Sequence, residues 1–138
     1  MKNKATSLPP ERILTVDQDQ RIRQLIRVNL EADGLQVCEA ESRSQCSNLI
    51  AEEACQLLLL SLDLPPLEMM RTISEFRRQA GWTVPVLLVV SEIPPKSLLQ
   101  NLGSVEYIRK PFDAAQLAVS VHRLLQGPES GGELSRAI

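Results

Sequence analysis

The stretch Leu57-Leu58-Leu59-Leu60-Ser61-Leu62-Asp63-Leu64-Pro65 decides the fold. Four leucines in succession, ending at a small polar residue and a proline turn, read as a strand covered on both faces. Such runs belong to parallel sheets flanked by helices. In open α/β sheets, ligands and chemistry gather just beyond the carboxyl ends of the strands. Ser61 stands at that end, so its chemistry bears on what the chain does.

The elements on either side extend the pattern. Arg12-Ile13-Leu14-Thr15-Val16 reads as a first strand, followed by Asp17-Gln18-Asp19. From Arg21 a helical stripe of Ile22, Leu25, Ile26, Asn29 and Leu30 runs to Gly34, a residue suited to a left-handed helix exit. Leu35 to Ala40 alternates like a strand, and Ser42 caps a helix to about Cys55. After the leucine strand, Pro66 to Ala80 forms a helix that turns Met69, Met70, Ile73 and Phe76 inward, with Gly81 at its exit. Trp82 is expected to cover that end of the core. Val84 to Val90 is a second continuous apolar strand, with Pro85 in its first residues, where a missing donor is tolerated. Pro94-Pro95 opens a short helix ending at Gly103. Val105 to Ile108 is the last strand, and Asp113 caps a final helix with Leu117, Ala118, Val121, Leu124 and Leu125 on one stripe. Five strands alternating with five helices predict a parallel sheet with helices on both faces.

Composition narrows the function classes. The 138 residues are one domain's worth of chain, and 43% are hydrophobic. A formal charge of −2 supplies no basic field for nucleic acid or for a membrane surface. No apolar run reaches the length of a spanning helix, and no signal-peptide core follows the N-terminus. Cys38, Cys46 and Cys55 match no zinc spacing and read as buried thiols, which fits a reducing cytoplasm. Residues 1–10 read as a loose arm, 11–126 as the domain, and 127–138 as a tail or the start of a linker.

Three segments together resemble the receiver domain of two-component response regulators. They are Ile13 to Asp19, Ser61-Leu62-Asp63-Leu64-Pro65, and Gly103 through Tyr107-Ile108-Arg109-Lys110-Pro111-Phe112. Each is weak singly; the ordered set, over about residues 11–126, is specific. The resemblance implies a flavodoxin-like three-layer sandwich whose five-stranded parallel sheet has the order 2-1-3-4-5. It also implies phosphoryl transfer from a histidine kinase to an aspartate after the third strand. Mg²⁺ would be held by acids after the first strand, with a Thr or Ser after strand four and a Lys after strand five touching the phosphoryl group.

Mapped residue by residue, the chain departs from that pattern. The phosphoacceptor position is Ser61, and a serine forms no acyl phosphate; its hydroxyl needs a positioned base to act as a nucleophile. Of the acidic pair, Asp17 remains but its neighbour is Gln18. The switch hydroxyl position is Val90, and Ser91 beside it is expected to point away, since strand side chains alternate. With about two carboxylates replaced, Mg²⁺ binding is expected to be weak or absent and no cofactor is expected. Lys110 is retained and is expected to pair with Asp17, while Pro111 matches the family's cis-proline. Asp63 is expected in the loop as part of a degenerate acidic pocket. Asp19 reads as a helix-terminal acid, His122 as a surface residue, and Met69 and Met70 as core and flank.

The leading expectation is a pseudo-receiver without enzymatic activity. It would dock a histidine kinase, an output domain, another regulator or a second copy of itself through the face of helix four, strand five and helix five. Tyr107 lies on that face, which the resemblance implies responds to phosphorylation, and a shortened helix four is expected to reshape it. The alternatives are a working phosphoacceptor using Asp63 or Ser61, and a small-molecule sensor at the altered strand ends.

Overall fold

The structure is a computed structural model and describes residues 10–127. The expected N-terminal arm and C-terminal tail fall almost wholly outside the described residues. The elements run β1 (Arg12–Val16), α1 (Gln20–Ala32), β2 (Gln36–Ala40), α2 (Arg43–Glu52), β3 (Leu57–Leu60), α3 (Pro66–Ala80), β4 (Val86–Val90), α4 (Lys96–Leu99), β5 (Val105–Arg109) and α5 (Ala114–Gln126). All strand pairs are parallel, in the order β2-β1-β3-β4-β5.

The leucine strand explains the layering. Leu57 to Leu60 are each fully buried, and successive side chains enter opposite clusters. Leu58 and Leu60 join Ile73, Phe76 and Leu88 on one face, while Leu57 and Leu59 join Ile26, Leu87, Leu117 and Val121 on the other. Burying each leucine stabilises by about 1.5–3 kcal/mol before entropy is counted. A sheet with both faces apolar needs both helical layers.

Helix ends follow from their capping residues. Asp19 accepts from the Arg21 N–H at 2.9 Å, Ser42 from Gln45 at 3.1 Å and Asp113 from Gln116 at 2.7 Å. Each satisfies a backbone donor that has no partner within its helix. Pro66 occupies the first turn of α3, where a missing N–H costs nothing.

Some boundaries and burials differ from expectation. β4 starts at Val86 rather than Val84, because the ladder begins only past Pro85, where the Val86 N–H reaches Ser104. In α1, Leu25 is exposed and Asn29 is half-buried, and Ile26 and Leu30 carry the buried stripe. Trp82 does not cap the core: it is 50% exposed and lies against the Arg77 guanidinium, 5.8 Å from ring centroid to Cζ. Met69 and Met70 are core and flank as expected, the first buried and the second half-buried against the same cluster.

Candidate functional site at the strand ends

Extending the sheet ladder by one residue at each strand assembles the site. The Asp17 N–H donates to Ala40, Ser61 to Val16, and Lys110 to Val90, at 3.1, 2.8 and 2.8 Å. These bonds bring Asp17, Ser61, Val90 and Lys110 to the carboxyl edge of the sheet, as the sequence order implies.

Asp17 is buried, and its Oδ1 accepts the Asp19 N–H at 2.8 Å. Its carbonyl accepts from Arg23 Nη1 at 2.6 Å. Among the described residues, its Oδ2 has no hydrogen-bond partner, and neither does the buried Ser61 hydroxyl, so no described base bonds Ser61. The single histidine, His122, lies 3.1 Å from Asp33, linking α5 to the C-cap of α1.

Lys110 does not pair with Asp17. Its Nζ lies 3.3 Å from Oδ2 of Asp63. Ser91 also departs from expectation: its N–H donates to Asp63 Oδ1 at 2.9 Å and its hydroxyl to Oδ2 at 3.1 Å. The alternation rule fails here because Ser91 lies one residue past the end of β4, where the pleat no longer sets side-chain direction. Partial burial pushes the Asp63 carboxyl upward. The Ser91 N–H, the Lys110 charge and the Ser91 hydroxyl outweigh it, so the group titrates below the usual carboxylate range.

This donor set does not fit Mg²⁺, which takes several oxygen ligands in strict octahedral geometry. Asp17 offers one unpartnered carboxylate oxygen, Gln18 a neutral amide and Ser61 a hydroxyl, while both oxygens of Asp63 are engaged. Among the described residues, no cluster of three or more His, Cys, Asp or Glu could hold a metal.

A family model for the response regulator receiver domain matches residues 13–122. The chain belongs to the response regulator receiver family. It is 32% identical over 105 residues to the KDP operon transcriptional regulatory protein KdpE of Escherichia coli, covering 76% of this chain and 47% of that protein. It is 26% identical over 120 residues to the transcriptional regulatory protein SrrA of Staphylococcus aureus, covering 86% and 49%. The chain thus spans about half the length of these relatives. Among solved structures, chemotaxis protein CheY4 of Vibrio cholerae aligns with a TM-score of 0.75 at 20% identity, covering 83% of this chain and 98% of that one. A CheY-like receiver from Methanospirillum hungatei aligns at 0.75 and 24%, covering 85% and 94%. These likenesses carry the fold.

Val90 ends β4 and is buried, Tyr107 on β5 is 42% exposed, and the Lys110–Pro111 peptide is cis. α4 has only four residues, as its prolines suggest. No described helix is long and apolar enough to cross a membrane.

Sequence reasoning missed Arg77. It is fully buried and donates to the carbonyls of Leu102 at 2.7 Å, Ser104 at 2.8 Å and Trp82 at 3.3 Å, and also to Val84. Burial lowers its pKa. A signal was present, because Arg77 continues the i, i+3, i+4 stripe of Met69, Ile73 and Phe76.

Proposed function

We propose that this receiver works in two-component signal transduction as a non-enzymatic docking module that needs no phosphorylation. The observation that carries the reading is Ser61 at the end of β3 with Asp63 already bound to Ser91 and Lys110. The acceptor position lacks a carboxylate, and the nearby carboxylate is committed to the lysine. The donor set also argues for weak or no Mg²⁺ binding, and so against a working acceptor at Asp63 or Ser61.

The docking surface is the face of α4, β5 and α5. Tyr107 is half-exposed there, next to the Glu106–Arg123 ion pair that joins β5 to α5. A histidine kinase, an output domain or another regulator is the partner class the family supports, and a second copy of the chain is the alternative occupant. The test is calorimetric binding of the cognate kinase or output domain, with and without prior acetyl phosphate treatment. Equal affinities support the reading; binding that appears only after treatment contradicts it.

One observation favours a second reading. A cleft of about 500 Å³ opens between the loops after β3 and β4, with Met69 and Val90 in its lining and Ile93, Pro65 and Pro94 around them. That volume suits a small organic ligand. Saturable, ligand-dependent thermal stabilisation that Met69→Trp abolishes would establish this sensing role.

A further inference from the structure

We propose that the amino edge of the sheet carries a groove that seats the chain's own residues 1–9. Where Glu11 leads into β1 and Thr83 to Pro85 lead into β4, a cleft of about 350 Å³ opens against the end of α5. Its apolar walls include Val84, Pro85 and Leu125, each half-buried, and Glu11 stands exposed on its rim. A second cleft of about 240 Å³ lies between the last turns of α2 and α3, with the exposed Glu52 and Glu53 in its lining. Cys55 lines both, so the two meet as one groove. The groove is at the opposite edge of the sheet from Asp63, and it involves neither the strand-end site nor phosphorylation.

Charge and reach select the occupant. Among the described residues, Glu53 pairs with Arg12, while Glu11 and Glu52 have no ion-pair partner. Residues 1–9 contain Lys2 and Lys4 and no acidic residue, so this segment is opposite in sign to the groove. Residues 128–138 carry Glu129 and Glu133 against Arg136, and the same carboxylates would repel them. The N-terminal segment also joins the domain at the rim itself. Leu8 stands three residues before Glu11, a reach of roughly 10 Å, and Lys4 seven residues before it, roughly 23 Å. Arg12 touches Glu53, so the second cleft begins beside Glu11 and lies within the longer reach. Exposed ion pairs are weak singly. A segment tethered at the rim nevertheless faces the groove at an effective concentration of millimolar order, and a basic peptide from another protein must displace it.

The test is NMR on the full chain, read at the Leu8 methyls and at the amides of Gln56 and Thr83. Leu8 should show NOEs to the methyls of Val84 or Leu125, and these should survive dilution of labelled chain into excess unlabelled chain. Lys2→Glu with Lys4→Glu should remove them and move the Gln56 and Thr83 amides, while the core amides of β3 and β4 stay in place. Adding Glu11→Lys and Glu52→Lys should restore the contact, because the signs are again opposite. The two lysine substitutions alter no described residue, so they carry the test if the glutamate variants do not fold. About 1 M NaCl, where the Debye length is about 3 Å, should weaken the contact in the unmodified chain. Missing NOEs, NOEs unchanged by the lysine substitutions, or a folded fourfold variant that fails to restore them would overturn the proposal. NOEs seen only between labelled and unlabelled chains would overturn it as well, by placing a second copy in the groove.

Discussion

Lys110 and Asp63 form an ion pair, Nζ to Oδ2 3.3 Å, that bridges the end of β5 to the loop after β3. Ser91 donates to the same carboxylate through its N–H and its hydroxyl, so Asp63 joins the ends of β4 and β5.

The acid range should expose this pair. Asp63 has a folded pKa below its unfolded value of about 3.9. Its stabilisation is therefore complete above that value and is lost as pH falls through the lower folded pKa. Both side chains are partly exposed, so the effect should stay under about 1 kcal/mol. Carboxyl-carbon NMR should place the Asp63 midpoint below that of an exposed aspartate, and an ordinary midpoint would argue against the pairing.

Docking should depend on Tyr107. Tyr107→Ala should weaken partner binding by more than about 1 kcal/mol while leaving the melting temperature nearly unchanged, since the ring is 42% exposed. Calorimetry and thermal melts together check this. An unchanged affinity would move the docking surface elsewhere.

The Arg77 clamp should be costly to disturb. Arg77→Ala removes the guanidinium from the carbonyls of Leu102, Val84 and Ser104, of which Ser104 keeps the Val86 N–H, at about 1–3 kcal/mol. Gly103 has φ +85°, and a Cβ there would sit 3.1 Å from the Arg77 guanidinium. Gly103→Ala should therefore cost ~1–2 kcal/mol from backbone strain, and less in the Arg77→Ala background, where the steric part is gone. Urea denaturation of the two single variants and the double variant measures all three quantities.

The cysteines should differ in reactivity. Burial pushes the Cys46 thiol up to about 12, with Cys55 adding to it, and burial likewise raises Cys55 to about 11. Cys38 is only half-buried and receives an Arg12 N–H at 3.0 Å. Because the thiolate is the reacting species, iodoacetamide at pH 8 should label Cys38 well before the other two in the native protein. Equal labelling of Cys46 under native conditions would contradict the packing.

The layered fold was legible because periodicity and burial agree: Leu57 to Leu60 and Val86 to Val90 have the unbroken apolar character that only a doubly covered strand requires. The strand-end placement of Asp17, Ser61, Val90 and Lys110 was legible from the order of the strands. The Asp63 contacts were not. They depend on where two loops place a carboxylate, and the period-two rule that governs β4 lapses at Ser91. Arg77 was hidden for a different reason. Its charge is balanced by backbone carbonyls, and no sequence pattern marks which carbonyls a fold leaves open.

Intact mass with an amide NMR spectrum, recorded with and without Mg²⁺ and acetyl phosphate, separates docking without phosphorylation from a working acceptor. A receiver that docks without phosphorylation should keep its mass and its spectrum, with the Ser91 amide and Lys110 unmoved. A gain of one phosphoryl group, abolished by Asp63→Asn or by Ser61→Ala, would contradict the account and identify the acceptor.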